Sequence, residues 1–113
     1  MDQKWLKEHS DLYTSVVVLY EIESGLLHGR MPKLVETLHK FIRMAPIEVL
    51  DVTWEISSLA AQMRSECLTS GITLHAQDLL IGATAKHHGL TIVTDKVKDF
   101  QCWGELENPL AEI

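Results

Sequence analysis

Asp78 is the single residue carrying a formal charge at neutral pH between residues 68 and 85, a stretch (LTSGITLHAQDLLIGATA) otherwise apolar, small or neutral. Such a segment reads as a mostly buried helix, and burying a lone carboxylate costs several kcal/mol unless it is paired, hydrogen-bonded or bound to a cation. Glu21 raises the same question, since it follows nine uncharged residues, 12–20. Asp95 and Asp99 form a third acidic group just past an apolar run at 90–94. Carboxylates brought together repel, and a hard divalent cation such as Mg²⁺ is the usual remedy. The chemistry these residues could do is therefore metal-assisted.

Each acid also has a plainer reading. Asp78 could complement the positive end of its own helix, an effect of about 0.3–1 kcal/mol. Glu21 could pair at the surface with Arg30 or Lys33, and Asp95 could cap the turn holding Lys96 and Lys98. His87 and His88 are adjacent, point to different helix faces and suit solvation or capping better than chelation, while His28, His39 and His75 stand alone. Trp5, Trp54 and Trp103 read as packing anchors, because no basic residues interleave with them as in a base-stacking platform. Cys67 and Cys102 lack a C-x-x-C spacing and read as thiols outside any disulfide framework.

The elements that must position the acids follow from periodicity and punctuation. Charges around Trp5 and Leu6 suggest the tail of a short helix. The β-branched run Val16–Val18 favours a strand, but Ser15 followed by Val18, Ile22 and Leu26 fits a capped helix ended near Gly29. The balance predicts a strand at 12–14 and a helix at 16–28. Pro32 opens a second helix reaching Met44, amphipathic and partly exposed through Leu34, Leu38 and Ile42. Residues 47–52 read as a strand, 54–68 as a helix ended by Gly71, and the helix bearing Asp78 is closed by Gly89 before a strand at 90–94. Helices alternating with short apolar strands predict an α/β fold with a parallel sheet, whose sites gather at the carboxyl ends of its strands.

Composition sets outer limits. The chain has 113 residues, 46% hydrophobic, with no internal repeat or linker, which predicts one domain spanning 1–113. Sixteen acidic residues against ten Lys plus Arg give a net charge of −6, which opposes sequence-blind binding to a polyanion and requires any nucleic-acid contact to be local or metal-assisted. The charged opening MDQKWLKEHSD is unlike a secretory signal, and no stretch reaches the roughly 18–20 apolar residues of a membrane span. The expected location is cytoplasmic.

Five pieces of the chain occur in a recognisable order: YTSVVVLYEIESG at 13–25, QDLLIGATA at 77–85, GLTIVT at 89–94, Asp99-Phe100, and Asn108-Pro109. Together they resemble the PIN-domain family, most nearly its VapC-type toxins of bacterial toxin–antitoxin pairs, over almost the whole chain. The resemblance implies a parallel sheet flanked by helices and a metal-dependent endoribonuclease, with Mg²⁺ or Mn²⁺ held by an acidic quartet. It places Glu21 and Asp78 as two of those acids, both catalytic and metal-binding. The family commonly has Asn or Asp two residues after the strand-ending Thr, where this chain has Lys96; Asp95 or Asp99 substitutes, Asp99 also as a catalytic residue, with Thr94 lending a hydroxyl. The partners implied are an RNA substrate, a cognate antitoxin and a second copy of the chain.

The same resemblance implies a departure. The family opens with a strand bearing L-D-T-N, whose Asp is the first metal ligand, and a helix, and Met1 aligns after both. The expectation is an N-terminally incomplete PIN-like domain, weak or inactive as a nuclease. The competing expectation is a non-catalytic PIN-like interaction protein that binds an antitoxin or itself, and a third is an α/β domain whose acids are all structural.

Overall fold

The computed structural model describes residues 12–93 and the backbone of 106–107. Within them the chain runs β1 (Leu12–Ser15), α1 (Val16–His28), α2 (Pro32–Met44), β2 (Ile47–Leu50), α3 (Trp54–Thr69), α4 (Ala76–His88), β3 (Ile92–Val93) and β4 (Leu106–Glu107). Ser15 ends the first strand and starts the first helix. Its backbone is extended and its Oγ accepts a hydrogen bond from the Val17 N–H at 3.0 Å. Three consecutive valines thus enter a helix against their β propensity, because the cap satisfies an orphan donor and Val17 is buried.

A tight turn reverses the chain after α1. Gly29 donates to the Gly25 carbonyl at 3.0 Å, and Met31 to that of Leu26 at 2.9 Å. Between them Arg30 takes φ +58°, in the left-handed region where a side chain is strained. Pro32 occupies the first turn of α2. The helix spans the residues its periodicity predicts, yet none of its side chains is buried, so it is more exposed than expected.

β1 and β2 pair in parallel, Leu12 opposite Ile47 through Ser15 opposite Leu50, with α1 and α2 forming the crossover. β3 pairs in parallel with β4, Ile92 opposite Leu106. Among the described residues the two pairs do not join. The parallel α/β expectation holds, with four helices flanking the strands. The strand expected at 47–52 ends at Leu50, the one expected at 90–94 starts only at Ile92, and β4 was not anticipated.

The core lies between α3 and α4. Ile56, Ala60, Met63 and Cys67 recur along α3 at helical spacing and meet Leu79 and Ala83 of α4 and Ile92 of β3. Thr53 caps α3 by accepting from the Ile56 N–H at 3.2 Å. Trp54, expected as an anchor, is instead 85% exposed, because as the first residue of that helix it falls outside the stripe set by Ile56 and Ala60. Trp5, Trp103 and Cys102 lie outside the described residues. Residues 70–75 form a loop that turns at Gly71, φ +77°, so the buried helix begins only at Ala76 and closes on Gly89 at φ +65°. Among the described residues no helix is long and apolar enough to cross a membrane.

Candidate metal centre

Asp78 sits in the first turn of α4 and is 7% exposed, among Leu79, Gly82, Ala83 and Thr84 as the buried face of that helix. It makes no hydrogen bond or ion pair with any described residue. His75, the residue preceding α4, supplies no side-chain cap either. Asp78 therefore lies where the helix dipole favours a negative charge, but it does not cap the helix. No described side-chain oxygen is both fully sealed and unpaired, so the Asp78 carboxylate keeps an opening to its surroundings. A nearly buried, unpaired carboxylate beside free helix N–H groups is a hard-oxygen donor of the kind divalent cations take.

Glu21 lies in the second turn of α1, half-buried. The surface pairing with Arg30 or Lys33 is absent, and Glu21 has no hydrogen bond or ion pair among the described residues. Its neighbour Glu23 takes the ion pair instead, with His39 of α2. His39, read from sequence as isolated, thus ties α2 to α1. The signal was available in the sequence only as a carboxylate two residues past Glu21; the 16-residue separation of the pair concealed it.

α1 packs on α4, and between their first turns lies a hollow of about 350 Å³ lined by Val16, Val17 and Tyr20 on one side and Ala76, Gln77 and Leu80 on the other. Glu21 follows Tyr20 and lies one turn beyond Val17; Asp78 follows Gln77. Helix packing thus joins the two elements that carry the predicted acids, though neither carboxylate lines the hollow. Asp95, Asp99 and Thr94 lie outside the described residues. Among the described residues no three His, Cys, Asp or Glu side chains converge as a complete ligand set, so Glu21 and Asp78 are the part of the expected quartet that can be placed. His87 and His88 stack edge to face with ring centroids 5.0 Å apart, both exposed, which suits solvation.

Comparison with known proteins gives concordant results. The family model described as PIN domain matches residues 2–99. Toxin FitB of Neisseria gonorrhoeae is 30% identical over 98 residues, covering 80% of this chain and 68% of that protein. Among solved structures, FitAcB from Neisseria gonorrhoeae superposes with a TM-score of 0.78 at 27% identity, covering 95% of this chain and 83% of that one. VapBC2 from Rickettsia felis, bound to a DNA fragment from its promoter, superposes with a TM-score of 0.80 at 23% identity, covering 93% of this chain and 82% of that one.

Proposed function

We propose a function from one premise: the chain belongs to the PIN domain family. Its similarity to toxin FitB and to FitAcB supports reading it as the toxin of a toxin–antitoxin pair, with a cognate antitoxin as partner. The activity we assign is divalent-metal-dependent cleavage of RNA in the cytoplasm. The observation that carries this reading is Asp78, a 7%-exposed carboxylate that no described residue pairs or hydrogen-bonds, on a helix packed against the one bearing Glu21.

The donor set fits a hard cation. Asp78 and Glu21 would hold Mg²⁺ or Mn²⁺ through carboxylate oxygens, with Asp95 or Asp99 as the further acid and Thr94 as a hydroxyl donor. When bound, the ion supplies Lewis-acid stabilisation of charge developing on a phosphoryl oxygen. The protein's own contribution is positional. Asp78 is fixed by burial in α4, the first turn of that helix adds a positive dipole end, and α1 presents Glu21 from an element anchored by the Ser15 cap. Phosphoryl transfer depends on such positioning more than on covalent participation. The exposed apolar side chains Leu27, Leu34, Phe41 and Met44 of α1 and α2 would lie in an interface with a second copy of the chain.

The test is incubation of the purified chain with a structured RNA in millimolar Mg²⁺, beside an EDTA control and the Asp78→Asn variant. Cleavage that requires the cation and is lost in Asp78→Asn supports the nuclease. Absence of cleavage in every arm, with retained capture of the antitoxin, would replace it by a non-catalytic interaction protein.

A further inference from the structure

The positive charge of this acidic chain is unevenly placed. Residues 30–43 carry Arg30, Lys33, Lys40 and Arg43 against Glu36 alone, whereas the chain as a whole has a net charge of −6. All four cations are exposed, and none makes an ion pair or hydrogen bond through its side chain with a described residue. At about 100° per residue, Lys33, Lys40 and Arg43 fall within one narrow sector of α2, with Glu36 and Thr37 beside them. Leu34, Val35, Leu38, Phe41 and Ile42 occupy the opposite side. From Lys33 to Arg43 the stripe runs on the order of 15 Å at about 1.5 Å per residue.

Two further observations fix where the stripe lies. Arg30 extends it from the left-handed position that ends α1, at φ +58°, where its N–H donates to the Leu27 carbonyl at 3.0 Å. The Glu23–His39 ion pair also fastens α2 to α1, the helix that carries Glu21, so the stripe is held in fixed relation to a candidate metal ligand.

We infer that Arg30, Lys33, Lys40 and Arg43 form a surface that takes the phosphate backbone of the RNA substrate; this rests on the ribonuclease reading above. An acidic protein segment would need a run of apolar contacts beside its charges for stable docking, and the stripe's sector offers only the exposed Met44, at the end of α2 beside Lys33. A phosphate backbone needs charge alone and carries one phosphate per about 3.4 Å along each strand of a duplex. The stripe also meets the condition set by the net charge, that nucleic-acid contact be local.

The test measures binding without cleavage. A fluorescein-labelled single-stranded RNA is titrated in EDTA at several salt concentrations with the parent chain, with Lys33→Gln/Lys40→Gln, and with the charge-matched control Arg64→Gln/Lys86→Gln. Circular dichroism checks that each variant folds. The expected result is weaker binding for the α2 variant, a salt slope shallower by about 1.4 for two lost phosphate contacts at about 0.7 each, and an unchanged control. Equal loss in both variants would overturn the proposal, since net charge alone would then explain binding. Competition by poly-L-glutamate as effective as that by unlabelled RNA would also overturn it, in favour of an acidic protein partner. Because no step requires catalysis, a parent chain that binds through the stripe but never cleaves RNA would contradict the nuclease activity and leave the binding surface standing.

Discussion

A carboxylate that is 7% exposed and unpaired among the described residues is subject to two opposed effects in the metal-free chain. Desolvation opposes the charge, while the dipole of α4 favours it by only about 0.3–1 kcal/mol. If desolvation dominates, Asp78→Asn stabilises the protein in EDTA by on the order of 1 kcal/mol, measured by urea denaturation, as expected when a functional residue is kept at the expense of stability. Glu21→Gln, at a half-buried position, shifts the same midpoint by less than about 0.5 kcal/mol. A destabilised Asp78→Asn would instead show that the carboxylate is structural. The burial of Asp78 was legible in the sequence because one charge in an apolar stretch demands an explanation, and so was the half-burial of Glu21 after its nine uncharged residues. The His39–Glu23 pair was not, because it joins two helices through a turn whose geometry no local pattern encodes.

At the scale of elements, most of the boundaries were written in punctuation. Ser15, Thr53 and Gly89 each supply a backbone need at a helix end: an acceptor for an orphan N–H at the first two and a left-handed terminus at the third. Ser15→Ala should therefore cost about 1 kcal/mol, and Gly89→Ala about as much, because Ala must adopt φ +65° there. Core truncation costs more: Ile56→Ala, at a fully buried position between α3 and α4, should lose about 2–5 kcal/mol. Trp54→Ala should stay within about 0.5 kcal/mol despite the larger side chain, since Trp54 is exposed. Chemical denaturation of the four variants checks the order. What the sequence concealed at this scale was the exposure of Trp54, which depends on the phase of α3 against α4, and β4, whose two residues carry too little pattern to read.

For the whole molecule, two features set expectations. The α1–α2 hairpin exposes Leu27, Leu34, Phe41 and Met44, and α2 buries none of its side chains. If these side chains form the proposed interface between two copies, light scattering at micromolar concentration should report a mass near twice 12.8 kDa, and Phe41→Asp should return it toward the single-chain value. A parent chain of single mass would place the apolar face in contact with another partner. The parallel pairing of β1 with β2 and of β3 with β4 was expected from alternating helices and apolar runs; their separation into two pairs among the described residues was not. The central claim is that helix packing brings Glu21 and Asp78 into one divalent-cation site. It is tested most directly by the thermal midpoint of the parent, Glu21→Gln and Asp78→Asn chains with and without millimolar Mg²⁺ or Mn²⁺. Binding to the folded state alone must raise the midpoint, so the parent should be stabilised by the cation and both variants should lose most of that gain. A parent unmoved by either ion, or an Asp78→Asn chain that gains as much as the parent, would contradict the claim.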